Sequence, residues 1–456
     1  MPPTAPAPSR LAATAINLAA AANLIGGWPL RKWAGREPDC WRRTLGLGLR
    51  SEACKFGLTA FGLRVPSSDL APRLAEFLRH EPEARWALRH GKHHVERIPW
   101  PQPELAVGEF SGDELQALTP RADAVLAAHR VTRLLPESAR GAALLREAGP
   151  EAQRLLSAAF LSIEPCPANR FQPPDFCARR DLGLGFLNFV ARPVNGGRSV
   201  DLWLNVHHTA SDGAPMQEML SRLEAAWGCE PVAYPGDDPR RPPHLAPCQV
   251  PRAGRALSLL VDFIDLAGLV QKRRDFNARS RAELGADAPL SSQLIWSLAQ
   301  QPEFHGRKFS TAIDVPAGQG QPRAVDLIAI RPADFPTQIE FSRAYLELVR
   351  AARARRTISY KTMRTTAQLH PGLAFRALAA NAARTREVFG SVGLSILKDA
   401  KVFTAPMADT GFADGFMALG GSNLPTAEGG TVAAFTVKGD AEQIRHYPAA
   451  LRAALR

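Results

Sequence analysis

Cysteine is scarce in this chain: six in 456 residues, at Cys40, Cys54, Cys166, Cys177, Cys229 and Cys248. No two form a Cys-x-x-Cys pair and none follows Cys248, so neither a disulfide framework nor a structural zinc is expected. That usage fits a reducing, cytoplasmic setting. Long apolar runs are missing too. The nearest, residues 11–27 behind Arg10, is Ala-rich and broken by Asn17 and Asn23, which reads as an N-terminal helix rather than an export signal or a membrane span. There is no Walker loop, no His-Glu-x-x-His, no zinc-finger spacing and no RNA-binding signature. Two Gly-x-Gly triplets, Gly46-Leu47-Gly48 and Gly183-Leu184-Gly185, lack the third glycine, because Ser51 and Asn188 stand there. The second leads into a strand where a dinucleotide fingerprint needs a helix. ATP, NAD and nucleic acid are therefore not expected ligands. No short tandem repeat is visible.

What is present is a globular composition, 45% hydrophobic and 22% charged, in a chain long enough for two domains. The net charge of +12 is carried mostly by arginine. It suits anionic partners such as coenzyme A phosphates, an acidic carrier protein or a membrane surface.

Along the chain, residues 1–9 are Pro- and Ala-rich and read as unstructured. A helix is expected over 11–24, ended by Gly26-Gly27, and it is a candidate for peripheral contact with a membrane. Residues 28–50 hold Trp28, Trp33 and Trp41 among Arg and Lys. A strand is expected over 56–64, then a helix capped by Ser67-Ser68-Asp69 and running to Arg79. A hairpin follows, with a glycine turn at Gly91 and a second strand from His93 to Ile98. His90, His93 and His94 raise the question of a metal, but the strand pattern favours solvated edge histidines over ligands. Residues 121–163 read as short helices and 164–180 as a Pro-rich loop. Residues 183–192 form a strand, joined by the turn Asn195-Gly196-Gly197 to the next. Residues 229–253 carry seven prolines and read as the linker. A helix is expected over 256–276 and another over 289–298. Strands are expected at 309–316, 392–397 and 431–437, with a mostly helical, basic stretch over 337–387. A Gly-rich region lies around 420–423, and a closing helix spans about 440–455.

The most informative stretch is Asn205-Val206-His207-His208-Thr209-Ala210-Ser211-Asp212-Gly213. Upstream, Val200, Leu202, Leu204, Val206 and His208 share one strand face, and Asp201, Trp203, Asn205 and His207 the other. Downstream, Ala214-Pro215 opens a helix whose apolar positions are Met216, Met219, Leu220, Leu223 and Trp227. A histidine closing such a strand beside a turn is well placed as a base.

This His-His-x-x-x-Asp-Gly spacing resembles the signature of an acyltransferase superfamily. Its members include chloramphenicol acetyltransferase, the dihydrolipoyl acyltransferase catalytic domain, plant BAHD acyltransferases, wax ester synthases and peptide-synthetase condensation domains. Two further segments are similar to that superfamily in part. Glu81-Pro82-Glu83-Ala84-Arg85 stands at its His-Pro-x-Leu-Arg, with Glu81 and Ala84 departing from it. Ile313-Asp314-Val315-Pro316 stands at its Val-Asp-x-Arg, with the arginine missing.

The resemblance implies an α/β fold of the α+β type. Two chloramphenicol acetyltransferase-like subdomains, each a mixed sheet flanked by helices, would have a channel between them. The division is an extension over 1–50, an N-terminal subdomain over 51–240 carrying the motif, and a C-terminal one over 241–456. The implied activity moves an acyl group from a thioester to a hydroxyl or amine acceptor, with no covalent intermediate. Acyl-CoA is the expected co-substrate and no tightly bound cofactor or metal is implied. An acyl carrier protein is the alternative donor. His208 would be the general base. Asp212, paired with an arginine the sequence does not identify, would brace the turn, and Gly213 would permit it. His207, on the other strand face, is expected to be structural. Ser395 is the candidate oxyanion donor, with Ser422 and Asn423 as rivals. Two other classes stay open: a non-catalytic binding protein on the same fold, and a metal hydrolase using His207, His208 and Asp212.

Overall fold

The computed structural model describes residues 10–26, 58–82, 86–90, 95–99, 105–108, 159–163, 187–207, 213–228, 244–250, 255–316, 324–366, 376–378, 380–397, 403–404, 415–425, 431–440 and 445–455. In chain order the elements begin with α1 (Arg10–Gly26), β1 (Leu58–Pro66), α2 (Leu70–His80), β2 (Trp86–His90), β3 (Val95–Pro99), β4 (Leu105–Gly108) and β5 (Ala159–Ile163). Next come β6 (Leu187–Val194), β7 (Ser199–His207), α3 (Gly213–Trp227), β8 (His244–Val250), β9 (Arg255–Asp265), α4 (Ala267–Leu284) and α5 (Leu290–Ala299). The remainder is β10 (Phe309–Val315), β11 (Ala324–Ile330), α6 (Gln338–Arg353), α7 (Ile358–Thr366), α8 (Ala382–Phe389), β12 (Val392–Leu397), β13 (Phe403–Thr404), β14 (Gly415–Pro425), β15 (Thr431–Asp440) and α9 (Tyr447–Leu455). The architecture is α+β, with mixed sheets flanked by helices.

The chain divides into two compact units. One comprises Gly27–Val232 with Ala400–Ala408; the other comprises Met1–Gly26, Ala233–Asp399 and Asp409–Arg456. The first unit is built on a six-stranded sheet in the order β13-β1-β7-β6-β5-β4, with β2 and β3 as a separate hairpin. β7 is paired antiparallel to β1 and to β6 over most of its length, whereas β4, β5 and β6 run parallel. β7 is interior, so both its edges are paired, and residues of both its faces are covered as well: Val200, Asp201, Leu202, Trp203 and Leu204 are all buried. The turn from β6 to β7 needs three left-handed residues in a row, Asn195 (φ 52°), Gly196 (φ 68°) and Gly197 (φ 82°), which is why asparagine and glycine stand there.

The second unit has a seven-stranded sheet in the order β11-β10-β12-β14-β15-β9-β8. β12 runs parallel to both β10 and β14, and the other neighbours are antiparallel. Its core gathers Phe304, Phe309, Phe341, Tyr345, Met417 and Leu451. The Phe341 ring lies 5.4 Å from that of Trp296, and Phe304 lies 4.7 Å from Tyr447. The helix α6 starts with a capping box, Thr337 accepting from the Glu340 amide while Glu340 accepts from the Thr337 amide. Such a cap is worth about 1 kcal/mol.

Three expectations are corrected, and the Gly-rich region acquires a conformation. The helix expected over 256–276 is β9 followed by α4. Leu257, Leu259, Leu260, Val261, Phe263 and Ile264 are apolar at both parities, a run that satisfies helix and strand alike. Pairing with β15, from Val432↔Asp265 to Asp440↔Leu257, decides for the strand. The expected linker over 229–253 contains β8, whose Pro247 is tolerated because β8 is the edge of its sheet. Residues 159–163, expected to be helical, form β5. The Gly-rich region is largely β14, whose glycines sit at a register shift between Gly420 and Leu424, as bulges in strands require. β4, β11 and β13 were not expected. The loop over 164–180 and most of the helices over 121–163 lie outside the described residues.

Candidate functional site

The motif segment leaves the first sheet at the end of its interior strand. His207 is the last residue of β7 and faces Leu58 of β1 across the ladder. Gly213 is the first residue of α3. His208 and Asp212 lie outside the described residues, as does the side chain of His207.

Both flanks of this segment are held by buried charge. Near the start of β7, Asp201 has no solvent exposure, and its register partners are Arg64 on β1 and Arg192 on β6. Arg64 donates to it through both ends of its fork, Nε to Oδ1 at 2.6 Å and Nη2 to Oδ2 at 3.0 Å. A carboxylate buried between two strands requires such a partner. The pairing also fixes register: a slip of one residue would exchange the two faces of β7.

The helix α3 is fixed through its apolar stripe, since Met216, Met219, Leu220, Leu223 and Trp227 are all buried. At its middle, Arg222 forks onto Glu81, with Nε to Oε2 at 3.0 Å and Nη2 to Oε1 at 2.6 Å. Glu81 follows α2 and is 2% exposed. Near the helix end, the Arg73 guanidinium of α2 lies 5.1 Å from the centre of the Trp227 ring. Glu81, which departs from the motif of the resembled superfamily, thus ties α2 to the helix behind the motif.

Ser395 lies in β12 of the other unit, in register with Ala418 of β14 and one residue beyond the last β10 partner, Leu394. Leu394 is buried in the core and Ser395 is half-buried, on the opposite strand face. Its strand is positioned by Gly390 (φ 77°). There the Ser391 and Val392 amides both donate to the Lys308 carbonyl, at 2.8 and 3.2 Å. A Cβ on Gly390 would stand 2.9 Å from that carbonyl oxygen. Ser422 and Asn423 fall in the register shift of β14, and nothing is described of their side chains. Asp314, at the second partial resemblance, is exposed near the end of β10.

A third buried carboxylate, Asp326 of β11, accepts from the hydroxyls of Thr357 and Ser359 and from the Leu327 amide. Thr357 in turn accepts from the Tyr360 amide at the start of α7. Burial raises the Asp326 pKa, and the three donors partly oppose that rise. Among the described residues, no group of three or more His, Cys, Asp or Glu is arranged as metal ligands would be. No described helix is long and apolar enough to cross a membrane.

Arg64, Arg222 and Gly390 were not singled out from sequence, and Glu81 was noted only as a departure from the resembled motif. The one further signal was Asp201, a charge beside the apolar run Leu202-Trp203-Leu204.

No protein-family model and no curated protein matches the chain. Among solved structures, it is similar to Fusarium sporotrichioides TRI101 complexed with coenzyme A and T-2, at 13% identity and TM-score 0.46, over 89% of this chain and 96% of that one. It is similar to Azotobacter vinelandii dihydrolipoamide acetyltransferase, at 14% identity and TM-score 0.31, over 44% of this chain and 82% of that one. It is also similar to a condensation domain of the enacyloxin polyketide synthase, at 12% identity and TM-score 0.39, over 87% of this chain and 77% of that one.

Proposed function

We infer that the chain is an acyltransferase that moves an acyl group from acyl-CoA to a hydroxyl or amine acceptor. One observation carries this: the complete His-His-x-x-x-Asp-Gly spacing falls where an interior strand ends at His207 and an amphipathic helix begins at Gly213. A strand before the motif and a helix after it are the setting the motif requires.

In this reading, the His208 imidazole accepts the proton of the acceptor's O–H or N–H. The acceptor atom attacks the thioester carbonyl carbon, and Ser395 donates to the developing oxyanion. Collapse breaks the C–S bond, and the thiolate takes the proton from the imidazolium. No enzyme nucleophile is consumed. Asp212 is a positioning residue that braces the turn through an arginine. The division into 1–50, 51–240 and 241–456 belongs to the same reading. The net charge of +12 complements the phosphates of coenzyme A. An acidic carrier protein would draw on the same charge, and comparing free and carrier-bound thioesters separates the two.

The experiment is intact-mass screening of acceptor pools with acetyl-, malonyl- and long-chain acyl-CoA. The expected result is an acceptor gaining the acyl mass while the enzyme mass stays unchanged. A stably acylated enzyme, or no transfer with any thioester while the protein is folded, overturns the proposal.

A further inference from the structure

The helix α1 has a sidedness unlike any other described helix. Ala20 is its buried residue, and Asn17 and Asn381 exchange side-chain amide hydrogen bonds, with Asn381 Nδ2 to Asn17 Oδ1 at 2.9 Å. That pair ties the helix to the segment that opens α8. On the other side, Leu11, Leu18 and Ile25 are 84%, 67% and 76% exposed.

These three stand seven residues apart, so they fall on one line about 21 Å long. The positions flanking that line, Thr14, Ala15, Ala21 and Ala22, are exposed and uncharged. Arg10, at the N-terminal end, is the only charge in the helix. A soluble helix normally turns polar residues outward; this one turns three of its five Leu and Ile side chains outward.

The segment that α1 is tied to is basic in sequence. Arg376, Arg384 and Arg386, close in sequence to Asn381, are all exposed. Glu387 beside them is engaged by Lys308 and Arg331. The whole chain carries +12.

We propose that α1 is an interfacial helix that seats the chain on an anionic lipid surface. Leu11, Leu18 and Ile25 enter the headgroup boundary, and the arginines near Asn381 meet the anionic headgroups. Insertion parallel to the surface needs an apolar stripe and nearby positive charge, not a spanning length. A second copy of the chain is the weaker occupant. Three side chains and four small positions fall short of the roughly 800 Å² per partner that a stable dimer buries.

The test is co-sedimentation of the full chain with vesicles of phosphatidylcholine and phosphatidylglycerol in a three-to-one mixture, compared with phosphatidylcholine alone. The parent is expected to partition onto the anionic vesicles and to be released by salt. A variant carrying Leu11→Gln, Leu18→Gln and Ile25→Gln should lose about tenfold or more in partitioning at an unchanged melting temperature. A variant with Met at the same three positions should retain it. The proposal fails if the parent ignores anionic vesicles, or if the Gln variant binds as well as the parent. It also fails if the parent is a dimer that the Gln variant converts to a monomer with no vesicle binding in either.

Discussion

Replacing Asp201 by Asn removes one charge near the start of β7 and leaves the shape unchanged. The amide keeps one acceptor oxygen but cannot satisfy both ends of the Arg64 fork, which reaches Oδ1 at 2.6 Å and Oδ2 at 3.0 Å. The Arg64 side chain is 15% exposed, so its guanidinium loses its forked counter-charge in a poorly solvated site. Breaking a buried pair from one side costs about 3–5 kcal/mol. The retained acceptor and the partial exposure of Arg64 put Asp201→Asn near the lower figure, about 3 kcal/mol. For a unit of roughly 200 residues, each kcal/mol moves Tm by about 2–4 °C, so its melting transition should fall by about 6–12 °C. Differential scanning calorimetry resolves the transition, and Arg64→Lys provides the graded comparison. Lysine keeps the charge but loses the fork, and should cost only about 1 kcal/mol. If Asp201→Asn melts within about 2 °C of the parent, the ion pair is not what holds this strand.

Three other outcomes follow from the geometry. Gly390→Ala forces a left-handed φ on alanine and drives its Cβ to 2.9 Å from the Lys308 carbonyl oxygen; urea unfolding should show a loss of about 2 kcal/mol or more. Arg222→Met removes the forked partner of the Glu81 carboxylate, which is 2% exposed; chemical denaturation should register about 2–3 kcal/mol, discounted because the Arg222 side chain is 48% exposed. Asp326 has a folded-state pKa raised by burial, so the unfolded chain releases this proton first and stability falls as pH rises from the unfolded value toward the folded one. Asp326→Asn removes that slope, and melting curves of parent and variant taken from pH 3 upward should diverge across that window.

The strands and helices around the motif were legible because they are strongly patterned. β7 alternates, and Met216, Met219, Leu220, Leu223 and Trp227 recur at helical spacing, so the strand before the motif and the helix after it could be read without coordinates. β9 was not legible, since its residues are apolar at both parities and only the partner strand β15 settles the conformation. β8 and β14 were masked by Pro247 and by paired glycines, signals that mark loops on average but also edge strands and bulges. The anchors of the site were hidden for a different reason. Arg64 and Asp201 are 137 residues apart in sequence, and Glu81 and Arg222 are 141 apart. No local spacing announces such pairs; only strand register and helix packing bring them together.

The central claim is that the His208 imidazole takes the acceptor's proton. Its most direct test is the rate of thiol release from acyl-CoA, in the presence of an acceptor found by mass screening, for the parent, His208→Ala and His207→Ala. The expected result is a loss of about 10²-fold or more for His208→Ala, the span of positioned general-base catalysis, with the fold intact by calorimetry and with His207→Ala retaining most activity. A His208→Ala protein that turns over as fast as the parent would contradict it.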